Sequence, residues 1–238
     1  MTSPYGGMIR LMTRPLAAQV LDRLVRSFEA ARDPERAWHA EAYMRDQFPF
    51  IGLPAPAQRA LGRAVVDGLP APDEDDLRDV VLACWELEER EYQYFACDWL
   101  RRYVAVPGPG FLSTARVLVT TKSWWDTVDP LATRFVGGLV ARHPGLRAEM
   151  DAWAADENLW LVRTALLHQL HYGEDTDTDR LFGYCTRQAG HRDFFVRKAI
   201  GWALRQYART DPGAVRAYLA GHRHILSPLS VREASKHL

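Results

Sequence analysis

The stretch Lys122-Ser123-Trp124-Trp125-Asp126-Thr127-Val128-Asp129 brings side chains of unlike chemistry together in a short span. Read as a helix, it sets Trp125 and Asp129 four residues apart on one face. An indole beside a carboxylate is a poor core pair, because the carboxylate gives up its water on burial. As a surface for a cation the pair makes sense, since attraction to the indole face adds to a direct charge. Trp124 and Trp125 would point about 100° apart on a helix, so they cannot both face the same core. Spacing alone leaves two readings standing, a structural pair within the packing or a binding surface.

Other groupings carry less. His168 and His171, with Glu174 close by, have a spacing that can set ligands on one helical face, but no firm third ligand follows. No metal and no organic cofactor is expected. The run Asp73-Glu74-Asp75-Asp76 reads as a helix N-terminus, where negative charge suits the dipole. Neither a GxSxG elbow nor a Walker-type glycine loop occurs. Cys84, Cys97 and Cys185 form no CxxC or Cys/His cluster, so they read as buried thiols in a reducing compartment. Of the eight tryptophans, Trp38, Trp85, Trp99 and Trp153 sit in amphipathic windows and are expected in cores.

The elements that must hold these residues are helices. Apolar residues recur at helical spacing almost throughout, and strand-like alternation is scarce. Breaks such as Asp33-Pro34, Gly68-Leu69-Pro70, Pro107-Gly108-Pro109-Gly110, His143-Pro144-Gly145, Asp211-Pro212-Gly213 and Ser227-Pro228 separate windows of about 12 to 20 residues. Pro34, Pro212 and Pro228 each follow Asp or Ser, which predicts an N-cap followed by proline at the first helical position. A weak repeat aligns Trp124-Trp125-Asp126-Thr127, Trp160-Leu161-Val162-Arg163 and Phe194-Phe195-Val196-Arg197, with aromatic starts 36 and 34 residues apart. Paired helices at such a period predict an all-α, HEAT-like or armadillo-type repeat solenoid, whose concave groove suits an extended polymer. The chain is expected to be one such domain over 15–238 behind an N-terminal tail, 1–14, that need not be ordered.

With 47% hydrophobic and 25% charged residues, the composition is that of an ordinary globular protein. No apolar run is long enough to span a bilayer. The opening MTSPYGGMIRLMTRPL lacks a secretory pattern, so a cytoplasmic monomer is expected. Net charge is zero, yet residues 180–238 carry eleven Lys/Arg against three Asp/Glu, an excess of eight that the remainder reverses. That asymmetry fits a basic working surface on an acidic body, and it equally fits solvated basic helices.

KSWWDTVD (122–129), NLWLVRTALLHQL (158–170) and DFFVRKAIGWALRQYARTDPGAVRAYL (193–219) resemble, in order and separation, the motifs of the AlkD-type DNA alkylation repair glycosylases. AYMRDQFPFIGLPAPAQRAL (42–61) is similar to the start of that fold, so the likeness covers nearly the whole chain. The resemblance implies a catalytic cleft of Trp125, Asp129, Arg163 and Trp202, and a base that is not flipped into a pocket. It implies a duplex DNA partner and excision of cationic alkylpurines of the 3-methyladenine and 7-methylguanine type. Asp129 would then stabilise positive charge on the sugar and position a water, the indoles would exclude solvent, and Arg163 would hold a phosphate beside the lesion. Arg163, Arg197, Lys198, Arg205 and Lys122 are the expected DNA contacts, and His222-Arg223-His224 is expected to border DNA or solvent. Pro130 restricts the backbone of Asp129 and is expected to shift a helix start or set a kink. The alternative is a HEAT-like module that binds DNA or protein without catalysis.

Overall fold

A computed structural model describes residues 14–238, so the expected tail lies outside the described residues apart from Arg14. Among the described residues the regular structure is helical throughout, without a strand, and none of the helices is long and apolar enough to cross a membrane. The chain divides into two compact units, one ending at Pro107 and the other running Gly108–Leu238.

The first unit holds α1 (Pro15–Glu29), α2 (Pro34–Tyr43), α3 (Ala55–Val66), α4 (Glu74–Glu86) and α5 (Arg90–Arg102). Helix α1 buries Ala17, Val20, Leu21, Leu24, Val25 and Phe28, a stripe at spacings of three and four, against α3 and α4. Phe28 stacks on Tyr92 of α5 at 5.8 Å between ring centres, which ties α5 into the same core. The acidic run opens α4 as expected, with Asp73 and Asp76 forming a capping box. Trp85 and Trp99 are buried, but Trp38 is 65% exposed. The expectation of a core role fails there because α2 buries Ala37 alone, leaving Trp38 against the ring of His39.

The second unit starts with α6 (Leu112–Thr120) and a continuous helical run made of α7 (Trp125–Pro130), a π-helical turn (Leu131–Val136) and α8 (Gly137–Arg142). It continues through α9 (Arg147–Trp153), α10 (Leu159–Leu167), α11 (Thr178–Arg187), α12 (Phe194–Tyr207), α13 (Pro212–His222) and α14 (Pro228–Ala234). Asp33, Asp211 and Ser227 cap α2, α13 and α14 ahead of their prolines, accepting from Arg36, Ala214 and Ser230 backbone N–H groups. The three free cysteines are buried, as the sequence leads one to expect.

The repeat at 124, 160 and 194 is a structural one. Each aromatic start lies at a helix N-terminus, Trp124 just ahead of α7, Trp160 second in α10 and Phe194 first in α12. Rings from all three converge: Trp124 lies 5.9 Å from Trp160 and 5.0 Å from Phe195, with Trp160 and Phe195 5.0 Å apart. Helix α10 packs between the π-helical run and α12, and α12 packs closely on α14. Two glycines permit the tightest approaches within this unit. A Cβ on Gly137 would meet the His168 carbonyl oxygen at 2.2 Å, and one on Gly201 would meet Glu233 Cβ at 2.5 Å.

Candidate active site

Three helix starts set the site. Trp124 has extended backbone (φ −157°, ψ 162°), so it stands outside α7 and joins the aromatic cluster, leaving Trp125 as the first helical residue. The conflict between adjacent tryptophans is resolved there: only one of them is on the helix. Asn158 caps α10 by accepting from Trp160 and Leu161, and Asp193 caps α12 by accepting from Phe195 and Val196.

Pro130 lies inside the helical run and not at its start. It has no N–H to donate, so the chain passes into the wider π turn directly after it. The Asp129 carbonyl, within the widened turn, accepts a hydrogen bond from Thr133 Oγ1 at 2.8 Å. The expected kink is therefore taken up as a change of helical register just behind the carboxylate.

Trp125, Asp129, Arg163 and Trp202 come together on one cleft of about 320 Å³, joined by Phe194, Phe195, Lys198 and Arg205. On α12 the lining residues Phe194, Lys198, Trp202 and Arg205 fall at spacings of four, four and three, a single helical face. Asp129 and Arg163 form a two-pronged ion pair: Nε donates to Oδ1 at 2.7 Å and Nη2 to Oδ2 at 2.8 Å. Arg163 Nη1 donates to the Phe195 carbonyl. The Arg163 side chain is 4% exposed and that of Asp129 14%.

That geometry differs from the expected phosphate contact. The Arg163 guanidinium is turned inward, with donors committed to Asp129 and the α12 backbone. Burial pushes the Asp129 carboxyl up from its ordinary range, and the Arg163 hydrogen bonds and charge pull against that rise. Arginine only donates, so two N–H groups on two carboxylate oxygens favour the ionised form.

Lys198 and Arg205 line the cleft but also meet behind it. Lys198 Nζ lies 2.8 Å and Arg205 Nη1 3.0 Å from Glu233 of α14, and Lys236 Nζ is 2.8 Å away. Lys198 and Lys236 hold the Glu233 carboxyl down at about 2. Arg197 instead donates to the His191 carbonyl at 2.7 Å, and Lys122 precedes α7 in a left-handed turn (φ 47°). Among the described residues neither contributes to the cleft wall. His168 is 2% exposed, its Nδ1 is 2.7 Å from the Ala165 carbonyl, and burial holds its imidazole down at about 4.

Sequence reading missed Phe194, Phe195 and Glu233. The doublet Phe194-Phe195 parallels Trp124-Trp125 in that one ring of each, Phe195 and Trp124, joins the cluster while Phe194 and Trp125 line the cleft, which Phe195 also reaches, and that parallel was a usable signal. Glu233 gave none. Its role comes from cations on two helices, Lys198 and Arg205 on α12 and Lys236 just after α14.

Aromatic faces around one buried carboxylate, with cations at the margin, suit a positively charged group that belongs to a polyanion. The family model described as DNA alkylation repair enzyme matches residues 24–238. A solved structure described as a predicted DNA alkylation repair enzyme from Enterococcus faecalis is similar, with a TM-score of 0.78 and 36% identity. The likeness covers 87% of this chain and 96% of that one. No curated protein matches. The family pattern runs through both compact units and the residues of the cleft, and the chain belongs to the DNA alkylation repair enzyme family.

Proposed function

We propose that the protein is a monofunctional DNA glycosylase that releases cationic N3- and N7-alkylpurines from duplex DNA. The observation that carries this reading is the Asp129 carboxylate on the cleft wall beside Trp125 and Trp202, held from behind by Arg163.

An alkylated purine already bears positive charge, so the base departs as a neutral molecule with the electron pair of the glycosidic bond. Positive charge then builds on C1′ of the sugar, where a nearby fixed carboxylate stabilises it. Water attacks C1′, its oxygen forms the new bond, and its proton passes to Asp129 and then to solvent. A carboxyl raised by burial is the better proton acceptor for that step. The indoles keep bulk water away and thereby strengthen the electrostatic interaction. Arg163 acts through Asp129: it fixes both carboxylate oxygens and leaves phosphate contact to Lys198 and Arg205 at the margin.

The test is to incubate the protein with methylated duplex DNA and measure released free bases, with a hypoxanthine-containing duplex in parallel. Release of 3-methyladenine or 7-methylguanine, with hypoxanthine retained, is the expected result. Neutral bases leave poorly without protonation, and nothing in the cleft is an obvious acid. Equal release of both would overturn the charge-driven mechanism. Tight binding without any release would favour a non-catalytic DNA-binding module.

A further inference from the structure

The first unit carries its own concentration of positive charge. A cavity of about 300 Å³ opens between α3 and α5, with Phe95 and Trp99 in its wall and Arg59, Arg63, Arg101 and Arg102 around it. Asp98 is the single acidic group in that lining, and Arg101 lies 3.3 Å from it. Arg59, Arg63 and Arg102 have no carboxylate partner among the described residues. This stands out because the chain outside 180–238 carries an excess of acidic residues. Cations in a last helical turn suit the helix dipole, which accounts for Arg63, Arg101 and Arg102 one at a time. Arg59 is in the middle of α3 and has no such explanation.

Close packing makes the convergence possible. Gly62 lies between the two α3 arginines, and a Cβ there would meet the Phe95 ring at 3.2 Å, so α3 can approach α5. Arg59 and Arg63 are four residues apart, which puts their Cβ atoms about 5–6 Å from one another, near enough to reach one anion. Every cation in the lining is arginine, whose planar fork matches phosphate oxygens two at a time. An apolar wall beneath them lowers the local dielectric and strengthens the attraction.

We infer that this arginine cluster is a second phosphate-binding site, one that grips the backbone of duplex DNA independently of any lesion. The inference rests on the reading that duplex DNA is the ligand of the chain. The shared chemistry is a phosphate group, so both a duplex and free inorganic phosphate need testing.

The experiment uses the full chain carrying Arg59→Gln and Arg63→Gln together, with fluorescence anisotropy on an undamaged duplex over a range of salt. A control pair, Arg26→Gln with Arg36→Gln, removes the same charge from exposed positions elsewhere in the unit. Affinity of the cluster variant should fall about tenfold at moderate salt, and its salt dependence should be shallower by about two phosphate contacts. The control should bind as wild type. Wild-type affinity and slope in the cluster variant would overturn the site, and so would equal losses in both pairs. Thermal protection by inorganic phosphate that the cluster variant loses, with duplex affinity intact, would overturn the duplex assignment. Because the duplex is undamaged, failure of base excision in a protein that still binds would sink the glycosylase reading and leave this site standing.

Discussion

Two carboxylates of the second unit are both buried and both paired with arginine, yet their surroundings drive them apart. Glu233 meets three cations, and its carboxyl is held at about 2, well below the ordinary 4.5. Asp129 meets one guanidinium among aromatic rings, and burial outweighs that partner, so its carboxyl rises. The first arrangement anchors: it joins α12 to α14 and holds Lys198 and Arg205 at the cleft margin. The second keeps a carboxylate short of compensation, and a group in that state gains most when a positive charge arrives. Burial governs the Asp129 carboxyl, whereas the cations around Glu233 govern its own.

The harshest way to break the comparison is to remove the single partner of Asp129. Arg163→Ala leaves a buried carboxylate uncompensated and frees the Phe195 carbonyl, so stability should fall by about 3–5 kcal/mol. Urea unfolding at neutral pH measures it. A loss below about 1 kcal/mol would mean that Asp129 does not depend on the ion pair. Asp129→Asn comes next: excision should fall by about two orders of magnitude, equivalent to about 2.7 kcal/mol, while duplex affinity is retained. An Asn variant that excises like wild type would remove Asp129 from the chemistry.

Glu233→Gln sharpens the comparison through pH. A depressed carboxyl contributes stability that is present above its unfolded value and lost as pH falls toward the folded one. The Gln variant should therefore be less stable than wild type by about 1–2 kcal/mol at neutral pH, because the three cations can partly rehydrate. That gap should close between pH 4.5 and about 2. Asp129 runs in the opposite sense: its raised carboxyl contributes most at low pH and loses that contribution as pH rises through the folded value. Thermal melts of the Glu233→Gln variant across that window decide it, and a constant gap would contradict the ionic role of Glu233.

The sequence showed the Asp129 half of this comparison more clearly than the Glu233 half. Trp125 and Asp129 are four apart on one helix, so their shared face follows from local geometry. Arg163 and Trp202 were reached only through the motifs they sit in, since nothing local brings α10 and α12 to α7. The inward turn of Arg163 was not legible, because it depends on where the Phe195 carbonyl lies after α12 has packed. Pro130 announced a disturbance, but a kink and a π turn relieve the same missing donor and residue types do not choose between them. Helix caps at Asp33, Asp211 and Ser227 were fully legible, being contacts within three residues. Trp38 was misread because one buried alanine cannot draw a whole helix face inward.

The smallest expected effect tests whether the anchor also serves the cleft. Lys198 is the link: it lines the cleft, pairs with Glu233 and is 37% exposed at its side chain. If its ammonium reaches a DNA phosphate while Glu233 steadies it, Lys198→Gln should weaken duplex binding only a few-fold and lower the salt slope by about one contact. Because Arg205 and Lys236 remain on Glu233, the fold should barely change. Excision at saturating DNA should fall much less than in Asp129→Asn, since a phosphate contact positions the duplex without touching the reacting carbon. Anisotropy against salt gives the slope, and single-turnover release gives the rate. An unchanged slope would make Lys198 a purely structural partner of Glu233, and the anchor would then stop at the back of α12.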